Sequence, residues 1–110
     1  MPLTKIGKVS LRNQGGFVTR IMISYLDDDG EKKVTGDCSG DIPLGQERTV
    51  DPGNCGVPDG SNIALYAFVV WGTDNEAKRH FEYEKGNPQT ARYTISGTTL
   101  GNELGLTDVS

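Results

Sequence analysis

Histidine is almost missing from this chain: His80 stands alone in 110 residues, beside two cysteines and one tryptophan. A hydroxyl or thiol nucleophile is normally activated by a histidine that a third group orients, and a single histidine inside the strand-like "AKRHFEYE" offers no such assembly. The plain reading of His80 is a strand residue on the face opposite Phe81. Two cysteines and one histidine also fall short of the four ligands of a structural zinc site. No stretch shows a convincing 3.6-residue apolar period over ten residues, so no helix stands behind a glycine-rich phosphate loop. The chain is read as non-catalytic, with no cofactor and no bound metal.

Long apolar runs are absent too. A spanning helix needs about 18 or more consecutive apolar residues, and none is present. The N-terminal "MPLTKIGKVSLRNQ" holds no uninterrupted apolar run of signal-peptide length, which implies a cytoplasmic protein or one exported without a leader. Positive charge is likewise thin. Eleven Lys and Arg against fifteen Asp and Glu give a net charge of -4, and the basic residues are scattered, so nucleic acid is not an expected partner.

What the chain does have is glycine, fifteen of them, placed with Asp, Asn and Pro between short alternating segments. Period-two patterning is strongest in "FVTRIMISYL", with Phe17, Thr19, Ile21, Ile23 and Tyr25 on one face, and in "NIALYAFVVW", with Ile63, Leu65, Ala67, Val69 and Trp71 on one face. Weaker strands are "IGKVSLR", "EKKVTG", "ERTVD", "AKRHFEYE", "TARYTIS" and "ELGLTDV". The expected fold is all-β, a two-sheet antiparallel β-sandwich of about eight strands, with residues 1–110 forming one domain.

If successive strands alternate in direction, alternate connections share an end of the sandwich. "NQGG", "SGDIPLG", "WGTDNE" and "GTTLGN" then meet at one pole, which displays Leu44, Trp71 and Leu100 among glycines. "LDDDG", "NCGVPDG" and "KGNPQ" meet at the other, which displays Asp27, Asp28, Asp29 and Asp59. A solvated hairpin turn accounts for the aspartates, whose spacing differs from a calcium loop; calcium binding there is the minor alternative. Cys38 and Cys55 flank opposite ends of "ERTVD", roughly 15–20 Å apart at ~3.3 Å per residue. A disulfide needs Cα atoms within about 7 Å, so two free thiols are expected, which leans towards a reducing compartment. For Trp71 the favoured reading is a cap on the core that continues its strand face, with exposure as the alternative. Leu100 is read either as a contact residue or as a plug closing the end of the sandwich.

The order "GGFVTRIMISY", a hairpin, "IPLGQERTV", "NIALYAFVV" and "YTISGTTLGNELGL" resembles the C-terminal β-sandwich of the cholesterol-dependent (thiol-activated) cytolysins over about residues 6 to 107. In that family this domain is the membrane-recognition end of a larger toxin, and a Thr-Leu pair in a tip loop recognises sterol. The resemblance places that pair at Thr99 and Leu100, and neighbouring tip loops at Gly15 and Gly16 and at Pro43 and Leu44. One departure is sharp: where the family carries a tryptophan-rich loop of the form ECTGLAWEWWR, this chain has "VVWGTDNEAKR".

The resemblance therefore implies a binding module that recognises a membrane surface, sterol or lipid head groups, without pore-forming machinery of its own and with an oligomer or a pore-forming partner protein supplying the rest. Its candidate contact residues are Thr98, Thr99, Leu100, Leu44, Gly16 and Trp71. The alternative is a carbohydrate- or protein-binding, lectin-like module, with Trp71 as a stacking platform for a glycan and polar tip groups for its hydroxyls.

Overall fold

A computed structural model describes residues 3–110. The alternating segments form ten strands: β1 (Lys5–Ile6), β2 (Lys8–Gly15), β3 (Thr19–Leu26), β4 (Lys32–Val34), β5 (Glu47–Val50), β6 (Asn62–Val69), β7 (Asn75–Glu76), β8 (Phe81–Tyr83), β9 (Thr90–Gly97) and β10 (Asn102–Val109). They make two sheets. One runs β1-β8-β6-β3-β4, with β7 also paired to β6; the other runs β10-β9-β2-β5.

Two expectations about the strands need correction. There are ten rather than about eight, and the sheets are mixed, because β1 lies parallel to β8 and β2 parallel to β9. Gly7 explains the first split. It divides "IGKVSLR" so that Ile6 lies in one sheet while Lys8 opens a strand in the other, and a Cβ there would fall 2.0 Å from the Asn87 carbonyl oxygen. The segment after Trp71 splits as well, into β7 and β8. Both pair with β6, at Tyr66–Ala67 and at Asn62–Ile63, with residues 77–80 between them.

The inward faces agree with the period-two reading. Ile21, Ile23, Ile63, Leu65, Ala67, Val69 and Phe81 of the first sheet pack in one core with Val9, Leu11, Ala91, Tyr93 and Ile95 of the second. Each large aliphatic side chain buried this way contributes ~1.5–3 kcal/mol. Tyr83 is buried with them, and its hydroxyl donates to the Asp51 carboxylate. Burial, then that carboxylate, push its pKa up to about 12.

The cysteines are not free. Cys38 and Cys55 form a disulfide with their Cα atoms 5.7 Å apart. "ERTVD" does not span the distance between them, because residues 39–46 first travel to the end of the sandwich. The Cys38 amide donates to Ile21 O, Ile42 bridges Thr19, and only then does β5 return along β2 from Arg12 to Val9. The chain goes out and back. A short 3-10 turn, Pro52–Cys55, whose first amide-capping contact is Gly53 N to Asp51 Oδ1 at 2.9 Å, then sets Cys55 against Cys38. The bridge joins the β3 side of one sheet to the β5 edge of the other.

Candidate functional site

The alternation of strand direction survives the mixed pairing, and it collects four loops at one end. β2 and β9 finish side by side at Gly15 and Gly97. β6 finishes where β3 begins, with Val69 opposite Thr19, and Gly45 N donates to Asn13 O at 2.7 Å. Loops 15–18, 43–46, 70–74 and 98–101 therefore form one tip.

Three large apolar side chains stand out from it. Trp71 is 94% exposed, Leu100 78% and Leu44 63%. Trp71 does not cap the core, as its parity with Val69 implied: β6 ends at Val69, Val70 N donates to Val18 O, and Trp71 takes a left-handed φ of 60° that turns the ring outward. Leu100 does not plug the sandwich. No Lys, Arg, Asp or Glu occurs in residues 14–18, 42–46, 70–73 or 97–102; the nearest charges are Asp74, half-buried and bonded inward, and Asp41, paired with Arg20 at 2.6 Å.

The loops are fastened to one another. Thr73 N donates to Thr99 O at 2.8 Å, and Asn102 Nδ2 donates to Thr73 O at 2.7 Å. Asn75 Nδ2 donates to Asn102 Oδ1 at 2.9 Å. Gly72 presses against the same carbonyl, 2.2 Å from where its Cβ would be, so only glycine fits between the Trp71 and Leu100 loops. Asp74 completes the turn, accepting from Val69 N at 2.9 Å and from the Tyr66 hydroxyl at 2.7 Å. That hydroxyl's pKa is raised, first by its bond to Asp74 and then by burial. Thr98 is a structural residue of its loop, since its hydroxyl accepts from Gly101 N at 3.0 Å. Thr99 is half-buried with a hydroxyl that bonds to no described residue, and Gly16 is exposed beside Gly97 O, to which its amide donates at 3.0 Å.

Asn13 was not singled out from the sequence, yet it holds the other half of the tip. Fully buried, it donates to Phe17 O at 2.6 Å and to Ile42 O at 2.8 Å, and accepts from Gly15 N at 2.8 Å. One amide thus ties the Gly16 loop to the Leu44 loop. Its only sequence signal is a polar residue at an inward position of β2, where an apolar one is the rule.

The opposite pole is acidic and internally bonded. Asp27 Oδ1 accepts from Asp29 N at 2.9 Å and Glu31 N at 2.8 Å, and Asp59 Oδ1 accepts from Lys85 N at 2.8 Å. The bond from the Glu31 amide is the main cause holding the Asp27 carboxyl below its ordinary pKa. Among the described residues no three Asp, Glu, His or Cys side chains gather as metal ligands would. His80 is exposed, 2.5 Å from Asn62 Oδ1, and away from the tip.

No protein-family model matches this sequence, and no curated protein does. Solved structures do match. The isolated membrane-binding domain of pneumolysin superposes with a TM-score of 0.50 at 13% identity, covering 93% of this chain and 96% of that one. The chain has the fold of the C-terminal β-sandwich domain of the cytolysins. Listeriolysin O (TM-score 0.50, 22% identity, 92% of this chain) and the human-specific toxin intermedilysin (0.50, 16%, 94%) show the same fold. This chain spans 22% of the first toxin's length and 23% of the second's.

Proposed function

We propose that this protein is a non-catalytic module that docks on a membrane through the tip, with Trp71, Leu100 and Leu44 entering the apolar boundary and Thr99 meeting a sterol hydroxyl. One observation carries the reading: three exposed large apolar side chains stand on interlocked loops, with no charged residue adjacent to any of them in the chain. Desolvating a charge is the main penalty for entering a bilayer, and the carboxylate of the tip, Asp74, is bonded inward to Val69 N and the Tyr66 hydroxyl. The likeness to the membrane-binding domain of pneumolysin supports the same orientation.

The gain is modest. Three side chains at ~1.5–3 kcal/mol each amount to roughly 5–9 kcal/mol, set against ~4–15 kcal/mol for immobilising a molecule. A single copy binds weakly, and firm attachment needs several copies or a partner protein to add avidity. A glycan-stacking role for Trp71 has less support: Asp74, Asn75 and Asn102, the polar groups that fasten its loop, are already engaged in hydrogen bonds within the protein.

The test is flotation with phosphatidylcholine vesicles, with and without sterol. Enrichment on sterol vesicles, little changed by added salt, is expected, because the contact is apolar and the carboxylates near the tip, Asp74 and Asp41, are bonded within the protein. Equal partitioning removes the sterol assignment, and absence from both vesicle types removes membrane docking.

A further inference from the structure

The two open sides of the sandwich are closed differently. The disulfide joins one side. On the other, between β10 and the stretch joining β7 to β8, lies a cleft of 310 Å³ lined by Asn75, Glu76, Ala77, Lys78, Arg79, Tyr93, Leu104 and Leu106. That is the low end of the size range of small-molecule sites.

Its chemistry is divided. Tyr93, Leu104 and Leu106 come from neighbouring positions of β9 and β10, with Tyr93 directly opposite Leu106, and make an apolar floor. Lys78 and Arg79 stand at the wall, and neither forms an ion pair with any described residue. Arg79 lies over the Phe81 ring at 4.7 Å, and its one hydrogen bond to a described residue is a long contact of 3.4 Å to Thr4 Oγ1. A guanidinium laid along the edge of a core without a carboxylate is unusual, since its planar fork is suited to bidentate oxyanions. Glu76, the acidic residue of the lining, is engaged by Lys32 at 2.5 Å.

Tyr93 adds a second, separate sign. Its ring is buried and lines the cleft, and its hydroxyl donates to no described residue yet is not sealed from solvent, since Ser10 Oγ is the one enclosed side-chain oxygen without a partner among the described residues. Tyr66 and Tyr83, by contrast, each have a carboxylate partner. A phenol hydroxyl that meets only the water of the cleft is free to donate to an oxygen-bearing ligand there.

We infer that this cleft is a binding site for a small anionic amphiphile: a carboxylate or phosphate head held by Arg79 and Lys78 and the Tyr93 hydroxyl, with a short apolar body on Leu104 and Leu106. Asn75 belongs both to the cleft lining and to the bonds that fasten the tip, so the site lies directly behind the tip. Leu104 and Leu106 are about 7 and 13 Å along β10 from Asn102, at ~3.3 Å per residue. The head group is either that of a membrane lipid or that of a free acid in solution.

Proton–nitrogen NMR with the whole chain tests this. Sodium octanoate should shift the Arg79 side-chain resonance and the amides of Ala77, Leu104 and Leu106 saturably, while octanol shifts them little. Arg79→Gln and Tyr93→Phe should each weaken octanoate binding about tenfold, the size of one lost charge-assisted hydrogen bond. Arg79→Gln should keep the native spectrum elsewhere, which separates loss of the ligand from loss of the fold. To distinguish sources, bicelles of phosphatidylcholine are added: shifts at these positions that depend on an intact Trp71 and Leu100 identify a lipid head group, whereas octanoate shifts that persist in Trp71→Ala identify a free acid. Equal shifts with octanol, shifts confined to the tip, or no loss in Arg79→Gln would overturn the site. Flotation of Arg79→Gln on sterol vesicles reports on tip docking separately, so either reading can fail alone.

Discussion

The two ends of this sandwich are built from the same kind of connection and differ in what secures it. At the tip, amides and backbone groups hold the loops: Asn13, Asn75, Asn102 and Thr98, with Asp74 as the one carboxylate among them. At the base, carboxylates cap the turns, as Asp27, Asp51 and Asp59 each accept backbone amides. Fastening mostly by neutral groups lets the tip carry apolar side chains with one inward-bonded carboxylate near them. Charged fastening is cheap only where water stays, and it makes the base the end that answers to pH.

Replacing both Trp71 and Leu100 by alanine is the hardest blow to this contrast. Two side chains at ~1.5–3 kcal/mol each predict a loss of vesicle partitioning of about a hundredfold or more, read by flotation. Neutralising the base with Asp27→Asn and Asp28→Asn should leave flotation where it was; a matching loss would mean that the base, and not the tip, meets the membrane.

Asn13→Ala comes next. It strands Phe17 O and Gly15 N inside the protein, and at about 1–3 kcal/mol for each unsatisfied group it should lower stability by about 4 kcal/mol in a urea titration. The loss should be smaller for Asn75→Ala, whose site is only partly buried. Equal losses would show that the two halves of the tip are not secured unequally.

Removing the disulfide with a Cys38→Ser and Cys55→Ser pair follows, at about 3 kcal/mol for a loop of this length. Its sequence separation is 17. Because the bridge closes the out-and-back path through Leu44, faster amide exchange should appear in residues 39–46 before it appears at Gly101. Uniform acceleration would contradict that.

The smallest effects are those of pH. Asp27 has a lowered pKa, so its contribution is present above the ordinary carboxylate value and is lost as pH falls through the folded value. Protection factors of the Asp29 and Glu31 amides, taken relative to the intrinsic exchange rate at each pH, should therefore fall in acid while those of Gly15 and Gly101 hold. Tyr83 and Tyr93 are both raised to about 12, chiefly by burial. The unfolded chain ionises first, so stability should be complete below pH ~10 and decline as pH rises from there towards 12, followed by tyrosinate absorbance against melting temperature. Flat melting across that range would show the phenols to be less enclosed than described.

Much of this was legible in the residues. Alternation of direction needs only a count of strands, and β1 and β7, the strands missed, are two residues each and leave the count of long strands intact. That is why Leu44, Trp71 and Leu100 were grouped correctly, and Asp27 and Asp59 with them at the far end. The disulfide was missed because distance along the chain stood in for distance in space; an unpaired stretch such as residues 39–46 has no period to reveal that it doubles back. Trp71 was misread for a related reason. Parity extends a strand past its last hydrogen bond, and nothing in "VVWG" marks Val69 as that residue. Asn13 gave the faintest sign, because what makes it important is two carbonyls that only the fold brings to it.

Trp71 stands in the left-handed region at φ 60°, a conformation that costs an ordinary residue about 1–2 kcal/mol. Glycine would adopt it freely. Trp71→Gly should therefore melt higher than Trp71→Ala, even though glycine is ordinarily the less stable choice. The protein keeps its largest aromatic ring where folding alone would favour having no side chain at all.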